Sequence, residues 1–181
     1  MANNKIKPSL IIVLTTIMII SAMVLTFIYQ TTTPLIEEHA AKAKENAILG
    51  VLPGAVEYKK IEKNGLKLYK GLDESGNQVG VAMVNEGQGF QDAIELMIGI
   101  DVEEKKLLKI KVLQQLDTPG LGARISEEQF KSQFKGKSFS DSYVAKKDVD
   151  AIAGATISSQ AVADILKDSI NKVQKAYGGG E

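Results

Sequence analysis

Residues 57–84 read EYKKIEKNGLKLYKGLDESGNQVGVAMV. Three short runs, 57–62, 66–71 and 78–84, are separated by Asn64-Gly65 and by Ser75-Gly76-Asn77. Asn-Gly between alternating runs signals a tight hairpin, because both central residues of that turn need positive φ. Hairpins make neighbouring strands antiparallel without crossover helices. Outward from here, 93–101 and 107–116 read as longer strands, the second alternating as Leu108, Ile110 and Val112. Ser126 opens a short helix, with Glu128 following and Phe130 and Phe134 at i,i+4. From about Ser159 to Tyr177, Val162, Ile165, Leu166, Ile170, Val173 and Tyr177 share one face at helical spacing. The fold class is α+β, with a mainly antiparallel sheet and flanking helices.

Toward the N-terminus the pattern changes. Residues 35–52 read as a helix rich in Ala, Glu and Lys, stopped by Pro53-Gly54. Before it, no charged side chain occurs from Pro8 to Ile36. Within that segment Leu10–Tyr29 is 20 residues, 16 of them apolar. At about 1.5 Å per residue it spans roughly the 30 Å hydrocarbon core. A signal peptide is the rival reading, but its apolar region is usually about 7–15 residues, ending at a small-x-small site. Gln30-Thr31-Thr32-Thr33-Pro34 is a poor cleavage site. The segment therefore reads as an uncleaved, single-pass anchor. Lys5 and Lys7 precede it, and Glu37, Glu38 and His39 follow it. The positive-inside rule places the N-terminus in the cytoplasm and the rest outside. The expected organisation is a cytoplasmic N-terminus (1–8), a transmembrane helix (9–30), a helical stalk (31–54) and an extracytoplasmic domain (55–181).

Composition narrows the chemistry. The chain has 181 residues, and 22 Lys+Arg balance 22 Asp+Glu. With a pI near 6.6 it has no electrostatic footprint for nucleic acid. Without cysteine it has no disulfide, thiolate metal site or cysteine nucleophile. One histidine, His39, excludes a multi-histidine metal site. Carboxylates, hydroxyls, backbone groups or an organic cofactor remain, and no metal site is expected. Asp101, Glu103 and Glu104 read as a turn.

The informative segment is Asp150-Ala151-Ile152-Ala153-Gly154-Ala155-Thr156-Ile157-Ser158-Ser159. Small residues at Gly154 and Ala155 allow a ligand close to the backbone. The start of the long helix presents unpaired N–H groups and a positive dipole end, a natural seat for phosphate. Thr156 puts a hydroxyl there, with Ser158 and Ser159 beside it. On residue chemistry alone a plainer reading competes. Ser158 or Ser159 is then an N-cap, and Gly-Ala serves tight strand-to-helix packing.

Asp150-x-x-x-Gly154-Ala155-Thr156-x-Ser158 resembles the flavinylation motif of FMN-binding domains, found in the RnfG component of Rnf complexes and the NqrC component of sodium-pumping NADH:quinone reductases. The resemblance implies FMN joined through its phosphate to the Thr156 hydroxyl, made by a separate flavin transferase with FAD as donor. Ala153 stands where the family often has Ser or Thr. Asp117-Thr118-Pro119-Gly120-Leu121-Gly122 is similar to the family's Glu-Thr-Pro-Gly-Leu-Gly loop, with Asp in place of Glu. Pro fixes φ there and two glycines permit backbone approach to a flat ligand. Thr118, Pro119, Gly120 and Leu121 are thus expected along one wall of a flavin pocket. Gly87-Gln88-Gly89-Phe90-Gln91-Asp92 resembles the family's glycine-aromatic turn, and Gln91 and Asp92 depart from it.

The resemblance covers nearly the whole chain, and its compact length matches the RnfG type. It implies a flavoprotein subunit in the cytoplasmic (inner) membrane, relaying single electrons within an ion-translocating ferredoxin:NAD oxidoreductase. Its partners would be the other Rnf subunits. Two other classes fit the residues: a membrane-anchored domain binding flavin non-covalently, and a cofactor-free structural or assembly subunit. Other signals are weaker. Gly136-Lys137-Ser138 lacks the earlier glycine of a P-loop, since position 131 is Lys131. Gly120-Leu121-Gly122 fails the dinucleotide fingerprint, whose third position falls on Ile125. Lys146 and Lys147 could neutralise a phosphate or simply be solvated.

Overall fold

The computed structural model of the chain describes residues 8–178. Lys5, Lys7 and the tail 179–181 lie outside the described residues, as do the side chains of Glu37, Glu38 and His39. The chain divides into two units, 1–44 and 45–181. Helix α1 (Pro8–Val51) crosses that division.

In the first unit, Pro8–Pro34 is long and apolar enough to cross a membrane. Its apolar side chains, from Leu10 to Tyr29, are exposed. Thr16, Thr26, Thr32 and Thr33 turn their hydroxyls back to carbonyls four residues earlier, at 2.7–2.8 Å. Such back-bonding satisfies hydroxyl donors inside the helix, as a hydrocarbon environment requires.

The second unit is built on one antiparallel meander, in order β1 (Glu57–Lys63), β2 (Leu66–Leu72), β3 (Gln78–Gln88), β4 (Ala93–Asp101) and β5 (Lys106–Gln114). Asn64 and Gly65 take φ of 51° and 76°, the left-handed pair that the Asn-Gly hairpin requires. The expected strands are all present. β3 runs four residues further than its apolar run, because Asn85–Gln88 continue the ladder with Ala93–Leu96.

Side-chain alternation gives the sheet two apolar faces. On one, Ile94, Leu96, Ile98 and Ile100 of β4 join Val81 and Met83 of β3. Helix α3 (Thr156–Gly178) covers this face with Val162, Ile165, Leu166, Ile170 and Val173. On the other, Ala82 and Met97 pack against Ala47, Ile48, Val51 and Leu52 from the end of α1 and the residue after it. The helix end approaches very closely. A Cβ built on Gly99 would fall 1.9 Å from the Val51 carbonyl oxygen.

Two expectations are corrected. The helix opening at Ser126 is instead a 3-10 helix (Gly122–Ser126), a four-residue α2 (Glu128–Lys131) and a second 3-10 turn (Ser132–Phe134). Glu127 is extended (ψ 145°), so the α-helical turn opens only at Glu128, and it tightens to 3-10 geometry from Ser132. Phe130 and Phe134 still reach the core and meet edge-to-face, centroids 5.4 Å apart. Helix α3 also starts earlier than expected, at Thr156. Ser158 and Ser159 therefore sit within its first turn and neither is an N-cap.

Candidate functional site

The start of α3 is shaped by residues just before it. Gly154 adopts φ of +80°, which turns the chain into the helix. Ala155 N–H donates to the Ile152 carbonyl at 2.9 Å, closing a tight turn. Ser159 Oγ accepts the Ile152 N–H at 3.1 Å and donates to the Ala155 carbonyl at 2.9 Å. That hydroxyl pins the turn to the helix. Thr156 is the first helical residue and is partly exposed.

The loop after β5 approaches the same place. Thr118-Pro119-Gly120-Leu121 forms a turn in which Leu121 N–H donates to the Thr118 carbonyl at 3.1 Å, with Gly120 at φ +76°. A proline followed by a positive-φ glycine is the type II pattern. Gln91, in the β3–β4 turn, ties itself to this loop. Its backbone N–H donates to Asp117 Oδ1 at 3.0 Å, and its Nε2 donates to Thr118 Oγ1 at 3.2 Å.

The three segments enclose a cavity of about 280 Å³. Thr118, Leu121, Gly154, Ala155, Thr156 and Ser158 line it together. Pro119 and Gly120 do not; they are exposed at the tip of the turn and act on the shape of the loop. Phe90, Asp117, Gly122 and Ile157 also line it, beyond the expected set. Phe90 was visible in the glycine-aromatic turn, but nothing local says that it faces a helix 66 residues later. Lys146 and Lys147 are exposed and line no part of this cavity. A separate cavity of about 340 Å³ is lined by Arg124, Gln133 and Asp150–Ala153.

The arrangement fits a phosphorylated aromatic ligand. A hydroxyl and a helix N-terminus meet at Thr156, where backbone N–H groups and the dipole favour an anion. Gly154 carries no side chain into the cavity; a Cβ there would lie 3.1 Å from Leu121 Cδ2. Phe90, Leu121 and Ile157 are 60, 46 and 58% exposed, an apolar surface for a planar ring. Asp117 Oδ2 is buried with no hydrogen-bond partner among the described residues.

Residues 89–171 match the FMN-binding domain family. The match holds all three segments of the cavity. Over 98% of its length the chain is 31% identical to the G-type component of the ion-translocating oxidoreductase complex of Methanosarcina acetivorans, covering 100% of that protein. The chain belongs to the RnfG family. It is also 27% identical, over 99% of its length, to the G-type component of the proton-translocating ferredoxin:NAD(+) oxidoreductase complex of Clostridium ljungdahlii, again covering the whole of that protein. Two solved structures share the fold of this RnfG-family chain at 21% identity. NqrC of Shewanella oneidensis has a TM-score of 0.52, over 65% of this chain and 66% of its own. The C-type component of the Na(+)-translocating NADH-quinone reductase of Parabacteroides distasonis has a TM-score of 0.56, over 79% and 85%.

Proposed function

We propose that this RnfG-family chain relays electrons through FMN esterified to Thr156, within a membrane-bound ferredoxin:NAD oxidoreductase complex. The observation that supports the reading is Thr156, which starts α3 and lines a cavity walled by three segments within the FMN-binding match. FMN supplies one-electron redox chemistry that side chains lack. The protein supplies position. The α3 N-terminus favours the phosphodiester's remaining negative charge. Gly154 and Ala155 leave room at the backbone, Ser158 adds a hydroxyl, and Thr118 and Leu121 form the facing wall. Pro119 and Gly120 hold that wall in its turn.

A cofactor tethered to one side chain cannot diffuse away, which suits a relay fixed at a membrane. Helix α1 would anchor the chain through Pro8–Pro34 and meet the other proteins of the complex there. Lys5 and Lys7 before the span, with Glu37 and Glu38 after it, favour a cytoplasmic N-terminus and an FMN domain on the extracytoplasmic side. Ion coupling would reside in the partner subunits. Maturation would need a flavin transferase, which forms the threonine O–P bond, breaks the pyrophosphate of FAD and releases AMP with the hydroxyl proton.

The test is the intact mass of the denatured full chain, from cells that also make the transferase. The expected result is a gain of FMN less one water, lost in Thr156→Ala. An unmodified mass, with the transferase active on a control substrate, refutes covalent attachment. Flavin released on denaturation would then identify a non-covalent binder.

A further inference from the structure

Residues 143–149 form a loop that the attachment site does not use. Tyr143 and Lys146 both lie in the left-handed region, at φ 54° and 66°. A bulky, buried tyrosine with positive φ is a true outlier. Such strain persists only where the surroundings over-determine the backbone. Here they do. Asp148 turns inward: its Oδ2 accepts the Tyr143 N–H at 2.9 Å and its Oδ1 the Val144 N–H at 2.7 Å. The Val144 carbonyl accepts the N–H groups of Lys147, Asp148 and Val149 at 3.1–3.2 Å. The Val149 carbonyl accepts that of Lys146 at 2.8 Å. Gln160 of α3 adds two more bonds. Its Oε1 accepts the Ala145 N–H at 2.7 Å, and its Nε2 donates to the Tyr143 carbonyl at 3.3 Å.

This frame presents three side chains outward: Val144, 40% exposed, and the exposed Lys146 and Lys147. Neither lysine has an ion pair among the described residues. Asp148, their neighbour in sequence, is engaged by the two N–H groups and by Lys137. Gln160 stands four residues after Thr156, about 6 Å along the helix axis. The loop is therefore fixed to the same end of α3 as Thr156.

We propose that the tip Val144-Ala145-Lys146-Lys147 docks against an acidic protein surface of a neighbouring subunit, beside Thr156. The inference rests on the reading that this chain works within a complex, and it does not need the ester at Thr156. A loop ordered in advance avoids the entropy cost of ordering on binding, which helps a partner of fixed geometry. Lipid headgroups are fluid and impose no such geometry, so a strained, clamped tip favours a protein. Two unpaired cations select an acidic face, and charge complementarity of this kind sets docking rate and register.

The test uses the complex purified in detergent through a tag on this chain. A carbodiimide joins lysine amines to carboxylates in direct contact, and peptide mass spectrometry locates the bonds. Two charge reversals are compared: Lys146→Glu with Lys147→Glu, and a control of equal charge change, Lys59→Glu with Lys60→Glu, on the exposed side chains of β1. Limited proteolysis and intact mass check that this chain is folded and equally loaded. The expected result is bonds from Lys146 or Lys147 to Asp or Glu of one other subunit. Turnover from reduced ferredoxin to NAD should also slow on the order of tenfold in the 146/147 reversal alone. Bonds confined to other lysines, as a lipid-facing loop would give, overturn the inference. So does a turnover unchanged by the reversal, or slowed equally by the control. A wild-type chain purified without other subunits overturns the reading of a complex, and this inference with it.

Discussion

Gln133 brackets the backbone of Asp150: its Oε1 accepts the Asp150 N–H at 2.7 Å, and its Nε2 donates to the Asp150 carbonyl at 3.2 Å. A side chain from the 3-10 turn after α2 thereby acts like a neighbouring strand for the segment leading to Thr156. Gln133→Ala removes both bonds. Each is worth about 0.5–1.5 kcal/mol net, so a stability loss of about 1–2 kcal/mol is expected, with fewer chains carrying flavin. Urea unfolding should show a lower midpoint at unchanged slope, and intact mass should show the reduced loading. A midpoint and loading equal to wild type would show that the bracket contributes nothing.

Gly99 and Gly50 make opposite predictions. A Cβ on Gly99 meets the Val51 carbonyl at 1.9 Å, and that neighbour is backbone. Gly99→Ala must push the end of α1 off the sheet, and overpacking of this kind costs about 1–3 kcal/mol. Gly50 lies in α1 with nothing within 4 Å of its Cβ position. Gly50→Ala should stabilise by up to about 1 kcal/mol through helix propensity alone. Urea unfolding followed by circular dichroism separates the two signs.

Much of the sheet was legible because its signals are local. Asn64-Gly65 announces its own hairpin, since the turn needs positive φ at both residues and these two types tolerate it. β4 occupies the expected 93–101, an apolar run bounded by turn residues. The packing of α1 was not legible as a contact. Gly99 reads as an ordinary strand residue until Val51 is placed beneath it, 48 positions away in sequence. The short helix expected from Ser126 begins at Glu128, because Glu127 is extended, and it tightens to 3-10 geometry before Phe134. At the candidate site Thr156 and Gly154 stood out because helix start, small residues and hydroxyl adjoin in sequence. Asp117 was visible in its loop, but its bond to the Gln91 N–H joins residues 26 positions apart and was not.

The clasp around Asp148 predicts acid sensitivity. Burial opposes ionisation of this carboxyl, but the backbone N–H groups of Val144 and Tyr143, the Ser142 hydroxyl and the Lys137 charge outweigh it. Its pKa is held well below the ordinary 3.8. A depressed carboxylate contributes stability that is present above the unfolded value and lost as pH falls through the folded one. Wild type should therefore lose this contribution progressively below pH 3.8. Asp148→Asn should be less stable than wild type at neutral pH, and the gap should narrow in acid. Parallel urea midpoints between neutral and strongly acidic pH check the sign; a gap independent of pH would show that the charge of Asp148 is not the source.

Gly154 and Gly120 separate backbone strain from obstruction of the cavity. Both have positive φ, +80° and +76°. Alanine at either should cost about 1–2 kcal/mol, the penalty of a side chain in the left-handed region. The surroundings differ. A Cβ on Gly120 meets nothing within 4 Å, and that residue does not line the cavity. A Cβ on Gly154 enters the cavity beside Leu121 Cδ2, two residues before the proposed attachment point. The two variants should therefore have similar unfolding midpoints and different flavin content: Gly120→Ala loaded nearly as wild type, Gly154→Ala markedly less. Loading that merely tracked stability would show that Gly154 serves the turn and not access to Thr156.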